Sequence, residues 1–206
     1  MLANPMTTGN PALLDPFVPT ADVRGRHQVL IHAPAALVMD VAQKFPMESI
    51  WLVRTLFRVR ARLLEGPAAR GANPAGLVDQ LIGGGWQKLD EMPGRYLIAG
   101  ASCQPWEADP GFSPVGAQPF AEFAEPGRVK IAWTLETNEL SPELTCFATE
   151  TRAVATDRES RLKFKRYWRK FGAGIILIRL VLLPAVRRRA ERLWKAQKSA
   201  ASSVSK

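Results

Sequence analysis

The chain has 206 residues, of which 47% are hydrophobic and 23% are charged, and this composition excludes collagen-like and intrinsically disordered proteins. Its two cysteines are too few for a disulfide framework and fit a reducing, cytoplasmic compartment, and its two histidines leave little material for a metal site, so we expect no metal and no cofactor. The formal net charge of +9 is concentrated in residues 158–206, which contain fifteen Lys or Arg against two acids.

The first predicted elements are a strand and two helices. Residues 1–21 are rich in Pro, Asn and Thr without periodicity, which predicts a mobile N-terminal arm. Residues 25–31 alternate like a strand, and residues 35–45 carry apolar side chains at helical spacing. An apolar stripe predicts a second helix over 48–65, and a short helical turn is expected over 75–82.

The middle of the chain predicts antiparallel strands. Residues 86–91 and 95–103 flank a short Gly-containing loop, which is typical of a hairpin. After an irregular, proline-rich segment at 105–119, two long strands are expected over 128–140 and 143–156. Successive antiparallel strands between helices indicate an α+β domain.

A helix over 157–171, with Asp157 as its N-cap, follows the strands. Gly172 and Gly174 are expected to break or kink it before a second helical run over 175–197. The most apolar stretch is nine residues long and contains Arg179, whereas a membrane-spanning helix needs about 20 apolar residues, so we expect no span. We also expect no targeting segment, because no basic region precedes a long apolar one at the N-terminus.

The order of these elements resembles the START-like superfamily, also called the SRPBCC or polyketide-cyclase-like group. Four segments carry the likeness, and the last two are similar to an uncharacterised bacterial branch of that group. They are QVLIHAPAALVMDVAQ (28–43), GWQKLDE with GRYLIAGASCQPWE (within 85–107), LTCFATETRAVATD (144–157) and FKRYWRKFGAGIILIR (164–179).

The resemblance implies a helix-grip fold, in which a curved antiparallel sheet wraps around a long, kinked C-terminal helix. Together with the composition of the termini, it divides the chain into a mobile arm (1–21), a START-like domain (22–197) and a disordered tail (198–206). It also implies a cavity of a few hundred Å³ between sheet and helix that holds an apolar or amphipathic molecule, lipid- or polyketide-like in character. Binding without catalysis is therefore our leading hypothesis.

The strand over 128–140 indicates which side chains would line such a cavity. Its apolar face, formed by Val129, Ile131, Trp133 and Leu135, is predicted to point inward. Trp106, in the proline-rich segment, is a candidate lid. The residues predicted to bind the ligand are Trp106, Ile131, Trp133, Thr149, Tyr167, Trp168, Phe171 and Ile178.

An alternative hypothesis is a cyclase- or hydratase-type enzyme. The alternation of the strand over 143–156 leaves its inward face undecided, and one choice places Glu150 and Arg152 in the cavity, where Arg54 would join them. A desolvated Glu150 would then act as an acid or base. The other choice makes both residues ordinary surface charges. No nucleophile elbow, phosphate-binding loop or zinc motif accompanies them.

The third hypothesis concerns the basic C-terminal end. The cations Arg187, Arg188, Arg189, Arg192 and Lys195 form either a solvated helix face or a peripheral binding surface for anionic lipid or nucleic acid. Nucleic acid is the less expected partner, because no strand interleaves aromatic and basic residues.

Overall fold

The computed structural model describes residues 13–46, 55, 58–59, 62–64, 76–115 and 119–204. The helix expected over 48–65 lies mostly outside these residues, as does Arg54. In chain order the elements are β1 (Val23–Ile31), α1 (Ala35–Gln43), α2 (Leu77–Gly83), β2 (Gln87–Met92), β3 (Tyr96–Cys103), a 3₁₀ turn (Phe120–Glu122), β4 (Val129–Ser141), β5 (Leu144–Ala155) and α3 (Arg158–Val204).

The five strands form one curved antiparallel sheet in the order β1-β5-β4-β3-β2. The first strand therefore pairs with the last, and β4, β3 and β2 follow in order; β2–β3 and β4–β5 are hairpins, whereas a long segment containing the 3₁₀ turn joins β3 to β4. Helix α3 packs against β1, β5 and α1 on one side of this sheet. The prediction of an α+β fold of the helix-grip type is confirmed.

Helix α3 is continuous over 47 residues, so of the expected break or kink at Gly172 and Gly174 the break is wrong. Gly172 serves packing instead, because a Cβ there would lie 2.9 Å from Cε2 of the Trp168 indole, which folds back over the helix. The expected cap is confirmed, since both side-chain oxygens of Asp157 accept hydrogen bonds from Ser160. No helix in the described part of the chain is both long and apolar enough to cross a membrane.

The described parts of the two predicted terminal segments, residues 13–21 and 198–204, are ordered. Leu14 and Val18 are 1% exposed, so the described end of the expected mobile arm is packed against the domain. At the other end, the tail expected to be disordered from residue 198 is helical as far as Val204. In the N-terminal segment the reason is packing that local composition does not show, since Leu14 and Val18 lie in one buried cluster with Ile98 and Phe120.

Candidate functional site

The sheet has two distinct faces, and each is covered by other parts of the chain. Strand pairing places the odd-numbered residues of β1, β3, β4 and β5 on one face and the even-numbered residues on the other. The odd face packs against α1 and α3, as Leu135 and Phe147 show through their cluster with Leu183. The even face packs against the N-terminal segment and the loop before β4.

Two apolar clusters hold the odd, helix-facing side together. At one end, Leu135 and Phe147 pack with α1 and with Val186 of α3. At the other end, Val129 and Ala153 pack with Phe164 near the start of α3. Helix α3 is therefore anchored to the sheet at two separate places.

Between these clusters the helix-facing side of the sheet is partly open to solvent. Ile131 and Trp133 of β4 and Thr151 of β5 are half-buried, although their strands lie in the interior of the sheet. On the opposite face of the same strands, Ala132 and Arg152 are at most 2% exposed. We define the open region as the three half-buried sheet residues together with the residues of β1 and α3 beside them: Gly25, His27, Ile131, Trp133, Thr151 and Arg179.

Two of the predicted ligand-binding residues, Ile131 and Trp133, lie in the open region, and the predicted inward face of β4 is the face that meets the helices. Thr149 is next to it on β5, but its hydroxyl donates to the Thr134 carbonyl at 2.7 Å and is fully buried. Ile178 lies in the middle of α3 and is half-buried.

The other predicted residues lie toward the start of α3. Trp106, Tyr167 and Trp168 pack around the cluster of Phe164, and the ring centroids of Tyr167 and Phe171 are 5.0 Å apart. Trp106 is thus part of the packing at this end of the helix, with the Lys163 ammonium 5.9 Å from its ring centroid. Its function as a lid stays a prediction.

Arg179 and His27 are residues that the site prediction missed. Arg179 approaches β1 so closely that its Nη1 lies 2.6 Å from the position a Cβ on Gly25 would occupy. Burial lowers the pKa of Arg179, and burial followed by the positive charge of Arg179 lowers the pKa of His27. The signal in the sequence was an arginine inside the apolar run Ile175–Leu183, which we used only as evidence against a membrane span.

Glu150 and Arg152 are buried, but on the face of the sheet away from α3. The alternative that places them in the cavity as an acid–base pair is therefore wrong about their position. The alternation of β5 is the reason, because Phe147 and Ala153 of the same strand occupy the helix-facing clusters. The charges are also neither exposed nor isolated, since Arg152 Nε donates to Glu150 Oε1 at 2.7 Å.

A charge network on the even face surrounds this pair. Glu150 also contacts Arg24 at 3.0 Å and Arg26 at 3.4 Å, and Arg26 donates to Glu136 at 2.8 Å. Burial opposes the charge of Arg152, but its hydrogen bonds to Glu150 and Asp15 outweigh that effect and raise its pKa. Three arginines and three carboxylates thus compensate one another, which is a structural arrangement.

The basic surface on the last part of α3 is mostly exposed. Arg188, Arg189, Arg192 and Lys195 are exposed to solvent, whereas Arg187 is half-buried and its Nε donates to Glu191 at 3.0 Å. The charge of Arg187 is therefore largely compensated within its own helix. The exposed four are the part of this surface that remains available to a partner.

No protein-family model matches the chain, and no curated protein matches it. Among solved structures, it is similar to a protein of Thermobifida fusca (14% identity, 82% of this chain and 94% of that chain, TM-score 0.37). It is also similar to the ZhuI aromatase/cyclase of Streptomyces sp. R1128, with 14% identity over 82% of this chain and 94% of that chain and a TM-score of 0.27. A third similar structure is CalU16 of Micromonospora echinospora, with 13% identity over 84% of this chain and 94% of that chain and a TM-score of 0.27. At these values the likeness carries no argument about ligand or reaction, and the description of this chain as a helix-grip fold stands on its own strand order.

Proposed function

We propose that this chain binds an apolar or amphipathic small molecule, lipid- or polyketide-like in character, in the open region between the sheet and α3. The observation that supports this most directly is the partial exposure of Ile131 and Trp133. Both are large apolar side chains on an interior strand, on the face that the helix should cover. An aromatic and an aliphatic wall next to a few polar groups is the usual composition of a small-molecule site.

The driving force for binding is burial of apolar surface. A ligand that removes about 300 Å² of apolar surface from water gains about 7 kcal/mol at 25 cal/mol per Å², before the cost of association is subtracted. The two anchoring clusters keep α3 in place without the ligand, so the ligand does not have to organise the whole domain. We therefore expect a folded protein both with and without its ligand.

The same geometry favours binding over catalysis. Of the residues that define the open region, only His27 and Arg179 ionise, and the candidate acid Glu150 lies on the opposite face. A cyclisation or hydration that depends on a carboxylate acid–base pair would need such a group beside the ligand. We accordingly propose that the molecule is held and not transformed.

Native mass spectrometry of the purified protein, followed by fluorescence titration with the uncharged probe N-phenyl-1-naphthylamine, tests this function. We expect a co-purifying small molecule or a saturable rise in probe fluorescence. Thr151→Phe should weaken probe binding about tenfold or more, because the ring would fill the open region. Glu139→Phe, which adds the same ring at the exposed end of β4, is the matched control. Equal binding by both variants, or no binding by the wild type, would overturn the proposal.

The exposed cations Arg188, Arg189, Arg192 and Lys195 support a second candidate, peripheral contact with anionic lipid. Cosedimentation with vesicles containing phosphatidylglycerol tests it at two salt concentrations. The variant Arg188→Gln/Arg189→Gln/Arg192→Gln should lose binding, and the equally exposed control Arg158→Gln/Lys165→Gln/Arg169→Gln on the first half of α3 should not. If both triple variants lose binding equally, the contact is a general charge effect and the candidate fails.

A further inference from the structure

We propose that the open region contains an anion-binding end formed by Arg179 and His27, so that the ligand is an apolar molecule that carries one carboxylate. This proposal rests on the proposed function and adds the chemical class of the ligand to it. It concerns two residues that face each other across the space between β1 and α3.

Arg179 is positioned at this space by α3 and by the lack of a side chain at Gly25. The helix is fixed on either side of Arg179 by the clusters of Phe164 and Val186. The guanidinium then reaches β1, where Nη1 lies 2.6 Å from the position of a Cβ on Gly25. Any larger residue at position 25 would have to displace the guanidinium, so the chain leaves room for this arginine specifically.

The positive charge of Arg179 has no counter-charge in the described residues. None of their carboxylates forms an ion pair with it, and none of their acceptors forms a hydrogen bond with it. Arg26 and the buried Arg152 differ, since each of them has a carboxylate partner. An uncompensated and partly desolvated guanidinium costs free energy that a bound anion would recover.

His27 adds a second polar group without a partner. It lies on the helix-facing side of β1, two residues after Gly25. Its Nδ1 is buried and has no hydrogen-bond partner among the described residues. The residues opposite on β5 are Thr149 and Thr151, which bring no charge, and the Thr149 hydroxyl is already engaged with Thr134. Among the described residues of the open region, Arg179 and the Nδ1 of His27 are therefore polar groups without a hydrogen-bond partner.

The number of charges indicates which anion fits. The site offers one fixed positive charge, from a planar guanidinium that matches a carboxylate through two parallel hydrogen bonds. A phosphate monoester would bring close to two negative charges to a site that holds one. The apolar walls, Ile131 and Trp133, are on β4, which β5 separates from β1, and they suit the apolar rest of the molecule. The ligand class that satisfies both parts is an apolar monocarboxylic acid.

The test compares two probes of equal length, dodecanoate and 1-dodecanol, by isothermal titration calorimetry. We expect the wild type to bind dodecanoate at least tenfold more tightly, the lower end of what a hydrogen-bonded charge contributes. Arg179→Met keeps the apolar stem and should bind both probes equally. Arg169→Met, which removes an exposed charge from the same helix, should behave like the wild type.

A second variant tests the position of the guanidinium while keeping its charge. Gly25→Ala should weaken dodecanoate binding and leave 1-dodecanol binding unchanged, because the new methyl group pushes Nη1 aside. If Arg179→Met keeps the preference, or if the wild type shows none, the anion-binding end is overturned while the proposed function stands. If the wild type binds neither probe, the proposed function itself is overturned.

Discussion

Arg152 and Asp15 are 137 residues apart in the chain, yet Arg152 Nη1 donates a hydrogen bond to Asp15 Oδ1 at 2.6 Å. The same nitrogen donates to the Val18 carbonyl at 2.9 Å. The buried guanidinium of Arg152 on β5 thus fixes the N-terminal segment to the even face of the sheet. The segment is an integral layer of the fold.

Glu150→Gln should lower the free energy of unfolding by about 3 kcal/mol, because it removes the negative charge that Arg24, Arg26 and Arg152 share. Urea denaturation at pH 7 measures this. Asp15→Asn is the control: its side chain is 56% exposed, so its loss should cost about 1 kcal/mol or less. Equal losses would mean that burial does not set the strength of this network.

Leu14→Ala should lower the free energy of unfolding by about 3 kcal/mol, since Leu14 is 1% exposed and packs with Ile98 and Phe120. The control Leu30→Ala, at a site that is 38% exposed, should change it by about 0.5 kcal/mol or less. Chemical denaturation of both variants checks the comparison. A negligible effect of Leu14→Ala would show that the N-terminal segment does not contribute to stability.

Asp157 makes stability depend on pH. Hydrogen bonds from the Ser160 hydroxyl and then from the Gly127 and Ser160 amides lower the pKa of this carboxyl below its ordinary 3.8. A lowered pKa in the folded state stabilises the protein above about pH 4, and that contribution disappears as the pH falls further. Asp157→Asn should therefore be less stable than the wild type at pH 7, and the gap should narrow by pH 3. Urea midpoints at pH 7, 5 and 3 measure the gap, and a constant gap would contradict this assignment.

Gly85→Ala should cost about 3 kcal/mol or more. Gly85 has φ of +96°, and a Cβ there would lie 2.1 Å from the Phe112 carbonyl oxygen. Gly94 also has positive φ, at +73°, but nothing lies within 4 Å of its Cβ position. Gly94→Ala should cost only about 1 kcal/mol, the backbone part alone. Thermal unfolding of the two variants separates the cost of a positive φ from the cost of the steric clash with Phe112. Equal losses of stability in the two variants would contradict the clash at Gly85.

Local patterns predict the elements well where periodicity is strong. β4 and β5 were located to within one or two residues, because long alternating runs identify strands. The break at Gly172 failed because the glycine accommodates the Trp168 ring, a contact that local propensity does not contain.

The site was predicted only in part, for a similar reason. Ile131 and Trp133 follow from the alternation of a single strand. The face on which Glu150 lies cannot be predicted in this way, because β5 carries polar and apolar residues on both faces. Which face turns toward α3 depends on the N-terminal segment that covers the even face. Arg179 becomes significant only when it is brought next to Gly25 of β1, which lies more than 150 residues before it in the chain.

The double anchoring of α3 separates the residues that maintain the fold from those that we propose hold a ligand. Leu135, Phe147 and Phe164 carry the stability, whereas Ile131, Trp133 and Thr151 lie between the anchors at half-buried positions, where exchanges of side chain cost less. Substitutions at the half-buried positions can therefore change ligand preference without a large loss of stability. In homologues with this arrangement, ligand specificity should therefore change at a lower level of sequence divergence than the fold does.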